Sequence, residues 1–464
     1  MASEESIPYI RFQDNDLALY GKFYPCLEKF ENKKSSKGNF VRLIPRDYAA
    51  IRKMLAYYHL PIHSSLPYTV EDFKLPDEYK LDLRVSLYSF QQDAVQSWIQ
   101  NEKKGIIVLP TGAGKTIVGC SIIKDLQIST LIVVPTIVML EQWKNRLIDF
   151  LGIEQKKIGL FGGGDQDSKP ITIITYESAY LYVKRLRSQF GLIIFDECHH
   201  LSNSNYQIIL DGFISPFRLG LTATIYENDS VSKILEEKGM GTVVFFKNPK
   251  DIEKENVLSP YKIVSIKIEL SDEEKDYRDN IQILTNYLQS NRLIGEHAFE
   301  KLTMLVNKDP EAYKALQAYY EAKKIAYCAE KKILELERLL KTHQNDKIII
   351  FSDNINFCER IGREFFIPVL THRTPKEERK IIMEHFKIFS EAKICVGKIF
   401  DEGVDVPSAR IGIIISGSSQ TRQFIQRLGR ILRFHPEKGD AILYELISEN
   451  SIEEKISRRR KKDL

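Results

Sequence analysis

The residues Leu109-Pro110-Thr111-Gly112-Ala113-Gly114-Lys115-Thr116 carry the chemistry that a polyphosphate needs. Gly112 and Gly114 free the backbone to curl, so that the N–H groups from Thr111 through Ala113 to Lys115 can converge on phosphate oxygens. Lys115 brings a point charge to the β/γ-phosphates, and the Thr116 hydroxyl can ligate Mg²⁺. The strict pattern asks for glycine six residues ahead of the lysine, where Leu109 stands, but the glycines nearest the phosphates are kept. Further along the chain come Asp196-Glu197-Cys198-His199-His200. Asp196 is suited to hold Mg²⁺, directly or through water, and Glu197 to orient and deprotonate an attacking water. A zinc site built from the same run is excluded, because adjacent ligands on one short loop cannot all converge tetrahedrally. Together the two segments point to nucleotide hydrolysis.

Such groups work only if the fold aligns them. The phosphate loop follows the apolar run Ile106–Leu109 and opens a helical pattern, and the acidic pair follows Leu192–Phe195. With Leu131–Val134 and Ile171–Ile174, these are short unbroken apolar runs separated by helical stretches, as expected of parallel strands buried on both faces. Ligands bind at the carboxyl edge of such sheets. The strand signal returns at 348–350, 394–396 and 411–415, while the segment between follows a helical rhythm: Ile333, Leu336 and Leu340 on one face, Glu335, Arg338 and Lys341 on the other. The expected fold class is α/β: two parallel-sheet domains, a helical insertion between them, and a small mixed α+β N-terminal domain. The N-terminal part shows an alternating stretch from Ile10 to Tyr24, a polar tip at Glu31–Gly38, a helix over Asp47–Tyr58 and a proline-punctuated link. Expected boundaries are 1–80, 81–250, 251–342 and 343–464.

Composition narrows the class further. A chain of 464 residues exceeds one ordinary core, and 43% hydrophobic with 28% charged residues excludes a disordered or fibrous protein. No apolar run reaches the ~18 residues of a membrane span, and the acidic N-terminus MASEESIPYIRF lacks the pattern of a signal peptide. Six cysteines without a CxxC pair read as reduced, mostly buried thiols, and a cytoplasmic location is expected, nucleoid-associated in a prokaryote. The net charge of +4 alone does not announce a nucleic-acid footprint, but its distribution is uneven. Residues 421–462 carry eleven Lys/Arg against six Asp/Glu, whereas 271–342 carry twelve against thirteen.

Taken in order, the motifs resemble those of a superfamily 2 helicase: PTGAGKT, Pro135-Thr136, Thr175-Tyr176-Glu177, DECH, Thr222-Ala223-Thr224, Asp401-Glu402-Gly403-Val404-Asp405, and Gln426-Arg427-Leu428-Gly429-Arg430-Ile431-Leu432-Arg433. The DECHH box, the EQW that follows Pro135-Thr136, DEGVDVP and SSQTRQFIQRLGRILR are similar to archaeal XPB-type helicases, over about residues 84–450. The resemblance implies two RecA-like domains with ATP and Mg²⁺ between them. It places Arg430 and Arg433 as arginine fingers, Gln426 beside them as a γ-phosphate sensor, and Gly403 and Asp405 at the nucleotide. It assigns Gln91 to the adenine, although Tyr88 stands where the family often has arginine. Thr222 and Thr224 couple hydrolysis to domain movement, and phosphate contacts to a DNA strand come from Thr136, Thr175, Ser352 and the region of Thr371.

The implied activity is a 3′–5′ DNA helicase or translocase in nucleotide excision repair or transcription-linked DNA opening. It would act on single-stranded or forked DNA without sequence preference, alongside a partner nuclease or a repair or transcription factor, and without a membrane. The helical insertion corresponds to a thumb-like element and residues 1–80 to a damage-recognition domain. One departure is specific. Relatives carry an Arg-Glu-Asp wedge after the TAT motif, and here the aligned triplet is Glu227, Asn228, Asp229. An acid repels phosphates, so weak unwinding with intact translocation is expected. A duplex translocase, or an ATPase that anchors a nuclease on DNA, are the alternative readings.

Overall fold

The computed structural model describes residues 8–21, 24–34, 40–60, 62, 64–67, 69–223, 230–248, 251–252, 261–270, 274–293, 295, 298–397, 409–417 and 441–461. The chain divides between residues 249 and 250 into two units.

The first unit begins with an antiparallel sheet of β1 (Tyr9–Gln13), β2 (Asp16–Tyr20), β3 (Glu31–Lys34) and β4 (Phe40–Leu43), in the order β1-β2-β4-β3. The stretch read as a polar tip therefore starts as an edge strand, a place where lysines are favoured because they blunt edge-to-edge pairing. Alternation puts Ile10, Leu17, Leu19 and Leu43 on one face, where Tyr48, Ile51 and Leu55 of the helix Tyr48–Tyr57 cover them. Ile214 joins this cluster from the larger sheet's flank, Arg187 stacks 3.4 Å over the Phe12 ring, and Arg46 pairs with Asp211. The N-terminal module is thus packed on the rest of its unit.

The larger sheet of that unit contains β5 (Lys104–Val108), β6 (Thr130–Val134), β7 (Ile158–Gly162), β8 (Asp165–Asp167), β9 (Ile171–Thr175), β10 (Leu192–Asp196), β11 (Phe217–Thr222) and β12 (Val243–Phe246). Their order is β12-β5-β11-β10-β6-β9-β7-β8, parallel throughout except for the β7–β8 hairpin. β6, β9 and β10 are buried at every position, which is why they read as continuous apolar runs.

In the second unit β13 (Tyr261–Ile268), β14 (Ile348–Phe351), β15 (Val369–Leu370), β16 (Lys393–Val396), β17 (Ile411–Ile414) and β18 (Ala441–Ser448) form a parallel sheet in the order β13-β18-β17-β14-β16-β15. β13 lies within 251–342, the stretch read as linker and insertion, yet it runs beside β18 over its whole length. The helix Glu330–Thr342 also belongs to this sheet's core, with Ile333, Leu336 and Leu339 in one cluster with Ile348 and Ile413. The helices Glu274–Ser290, Ala298–Leu305 and Pro310–Tyr327 form a further group, with one small apolar cluster around Leu302 and another around Ala322 that takes in Leu270, Ala329 and Ile456 and so joins the group to the sheet domain. Two RecA-like parallel-sheet domains, a helical insertion and a small mixed N-terminal domain make up the fold. All six cysteines are free, four of them buried, and no helix among the described residues is long and apolar enough to cross a membrane.

Candidate functional site

Because β5, β11 and β10 are neighbours, the carboxyl ends of the three strands lie within about 10 Å of one another. β5 delivers the phosphate loop, β11 ends at Thr222 and β10 ends at Asp196. Gly112 and Gly114 have φ of 90° and 83°, conformations that a side chain rarely tolerates. Gly114 is constrained a second time: a Cβ there would stand 2.4 Å from Nε2 of Gln91. The helix Lys115–Leu126 starts directly after it, so its unpaired N–H groups face the loop.

Lys115 Nζ lies 3.6 Å from Glu197 Oε1 and donates to the Leu109 carbonyl at 3.5 Å. Glu197, held at a φ of 48°, also lies within 3.5 Å of both Thr222 Oγ1 and His199 Nδ1. Asp196 is buried and accepts from Trp143 Nε1 at 2.7 Å and from the Glu197 N–H at 3.0 Å. Burial, reinforced by the adjacent Glu197 carboxylate, pushes the Asp196 carboxyl up to about 6, against the opposing pull of Lys115 and Trp143. An acid pair whose charge is under-compensated suits a hard divalent cation. The Thr111 hydroxyl is buried with no hydrogen-bond partner among the described residues, a polar group that a phosphate oxygen would satisfy. The residues present therefore fit Mg²⁺ and a nucleotide: Asp196 and Thr116 would hold the ion, which when bound neutralises phosphate charge.

Gln91 has a role the sequence reading did not foresee. Its amide donates to the Ala113 carbonyl at 2.8 Å, and its Oε1 accepts from the Tyr88 N–H at 3.0 Å, so it fastens the helix Ser89–Gln100 to the phosphate loop. Each end of the amide has capacity for one further hydrogen bond, although the residue is only 1% exposed. The Asp/Cys/His/His run does not converge: Cys198 packs against Gly220, His199 meets Thr222, and His200 lies against the Tyr176 ring.

Thr136 and Thr175 follow the adjacent strands β6 and β9 as N-caps of the helices Ile137–Leu151 and Tyr176–Leu186, accepting from Met139 N at 3.3 Å and Ser178 N at 3.2 Å. Two capped helix N-termini therefore stand side by side at the carboxyl edge of the sheet. In the second unit Ser352 follows β14 and Thr371 follows β15, and both side chains are buried. The Ser352 hydroxyl bonds Ser416 Oγ at 2.9 Å and accepts from the Asn354 N–H at 3.2 Å, and Thr371 Oγ1 accepts from the Arg373 N–H at 3.2 Å. Their hydroxyls therefore shape the loops from within. Thr224, Glu227, Asn228, Asp229, Gly403, Asp405, Gln426, Arg430 and Arg433 lie outside the described residues.

Residues 84–227 match the model for the type III restriction enzyme res subunit, and 307–464 the one for the ERCC3/RAD25/XPB C-terminal helicase. The chain is similar to the DNA 3′-5′ translocase XPB2 of Sulfurisphaera tokodaii, 39% identical over 82% of this chain and 85% of that protein. It is also similar to the general transcription and DNA repair factor IIH helicase/translocase subunit XPB of Danio rerio, 26% identical over 83% of this chain, which spans 48% of that longer protein. The Pyrococcus furiosus Hef helicase domain shares its fold, with a TM-score of 0.51 at 18% identity over 79% of this chain and 96% of that one. The chain belongs to the XPB family of superfamily 2 helicases.

Proposed function

We infer that this chain is an ATP-dependent DNA helicase or translocase that turns nucleotide hydrolysis into movement along DNA. The observation that carries the reading is the joint arrangement of Lys115, Asp196, Glu197 and Thr222 at one sheet edge, with the Thr136 and Thr175 helix N-termini two and three strands away from the Thr222 strand. Lys115 binds the β/γ-phosphates, and Glu197 activates water. The family resemblance assigns Arg430 and Arg433 to the transferred phosphoryl group, Gln426 to the γ-phosphate, and Gly403 and Asp405 to the nucleotide. Thr222, and Thr224 beyond it, pass the state of Glu197 to the neighbouring strands. DNA is gripped through its phosphates, without sequence preference, as movement requires. A role in excision repair or transcription-linked opening, with a nuclease or factor as partner, is the reading for the cell, in a cytoplasmic setting. The test is ATPase with single-stranded, forked and duplex DNA. Stimulation by at least one of them is expected, and no stimulation by any would overturn the reading.

Translocation on duplex with little unwinding is the alternative form, because Glu227 stands at the wedge position where the family resemblance leads one to expect arginine. Glu227→Arg is expected to speed strand displacement on tailed duplexes while ATPase stays unchanged. Displacement no faster than in the unaltered protein would remove this explanation.

A further inference from the structure

One contact in the first unit that the motifs leave unassigned belongs to Trp143. This side chain is buried, its indole Nε1 donates to Asp196 Oδ2 at 2.7 Å, and its ring lies over Gly119. The fit is close: a Cβ on Gly119 would stand 2.7 Å from the ring edge, so the bare glycine is what lets the ring approach. Gly119 sits one turn into the helix that begins with Lys115, and Asp196 ends β10. Trp143 therefore touches both halves of the phosphate and metal site while lying too deep to meet either ligand itself.

Its own helix adds a second connection. Ile137–Leu151 is capped by Thr136, and Trp143 follows that cap by seven residues, two turns along the same face and about 10 Å away. One rigid helix thus presents its N-terminus at the carboxyl edge of the sheet and its indole to the Asp196 carboxylate.

We propose that Trp143 is a positioning residue that fixes the Asp196 carboxylate for Mg²⁺, and that its helix passes the occupancy of the Thr136 N-terminus to that carboxylate. The second half rests on the DNA-dependent reading above, and the first half does not. An indole N–H is a donor without acceptor character, so it locks one carboxylate orientation in either nucleotide state. Loss of an outer partner of this kind typically costs about 10–100-fold in metal affinity or activity.

The test separates the halves. In Trp143→Phe, without DNA, the Mg²⁺ concentration for half-maximal ATPase is expected to rise about tenfold, while the rate at saturating Mg²⁺ stays within about threefold. A merely structural role would move the saturated rate instead. Gly119→Ala, which pushes the ring away, is expected to shift the Mg²⁺ dependence in the same direction. The chain has two tryptophans, so Trp98→Phe leaves Trp143 as the sole indole reporter. Its emission is expected to change when Mg²⁺ is added to the ADP-bound protein, and also when oligothymidylate is added alone. This keeps the proposal open to refutation should Trp143→Phe fail to fold. An unaltered Mg²⁺ dependence in Trp143→Phe, or emission indifferent to Mg²⁺, overturns the positioning role. A response to Mg²⁺ with none to oligothymidylate that binds overturns the relay alone. Failure of DNA to bind at all counts against the DNA reading and leaves the Mg²⁺ result to stand.

Discussion

Glu197→Gln is expected to lower ATP turnover about 10²–10⁴-fold while nucleotide binding becomes tighter. Both signs follow from the geometry. A general base in this position contributes a factor of that order, and glutamine cannot take a proton from water. The amide is nearly isosteric, so the contacts of this side chain with Thr222 and His199, both at 3.5 Å, can be remade and the fold is kept. Binding changes the other way because of Lys115. Its ammonium lies 3.6 Å from Glu197 Oε1 and must turn from that carboxylate to the phosphates when nucleotide enters. In the variant Lys115 no longer has the Glu197 carboxylate to leave, and a negative charge that repels the triphosphate is gone. Single-turnover hydrolysis together with equilibrium binding of a fluorescent ATP analogue measures the two effects separately. Turnover above a tenth of the unaltered rate would exclude Glu197 as the base. Lys115→Ala gives the opposite pattern, losing binding as well as turnover, which distinguishes a damaged site from a missing base.

What the sequence displayed, and what it hid, divides along physical lines. The phosphate loop and the acidic pair are local: glycines, a lysine and two adjacent acids do their work within a few residues, and the strand before each is a run buried on both faces. The same signal finds β14, β16 and β17. It misses β13, an edge strand whose residues are not all buried, so that Tyr261–Ile268 alternates and resembles a linker. It also passes over β18, where Glu445 interrupts the apolar pattern although it is fully buried and accepts a hydrogen bond from Ser457 at 2.8 Å. In the site the unforeseen contacts are tertiary. The amide of Gln91 meets the carbonyl of Ala113, and the indole of Trp143 meets Asp196, across separations of 22 and 53 residues. Neither has a spacing rule, because each depends on which rotamer the folded surroundings allow. The EQW run that carries Trp143 is visible in the sequence, but its partner is not. Ser352 and Thr371 show the converse: motif position selects them, yet burial turns their hydroxyls inward.

Lys332→Met is expected to destabilise the second unit by about 3–5 kcal/mol, the usual penalty for leaving one member of a buried ion pair behind. Helical periodicity alone does not reveal this lysine, which stands beside the apolar face of Glu330–Thr342. Its ammonium is fully buried, donating to Glu453 at 2.7 Å and to the Ile415 carbonyl at 2.8 Å, while Glu453 also accepts from the Ser448 N–H at 2.9 Å. One side chain thus joins the last helix before β14, the end of β17 and the helix Ile452–Lys461. Methionine keeps the stem's volume, so the loss reports the stranded carboxylate and the orphaned carbonyl rather than a cavity. The loss should shrink as pH falls, since a proton can neutralise that carboxylate in the folded variant, and it should shrink again in Lys332→Met combined with Glu453→Gln. Lys331→Met is the control: it removes an exposed pair with Glu269 at 3.2 Å from the next position of the same helix and is expected to change stability by less than about 1 kcal/mol. Urea unfolding followed by two probes, one for each unit, separates these transitions. Equal losses in Lys331→Met and Lys332→Met would show that the buried pair does not hold the joint.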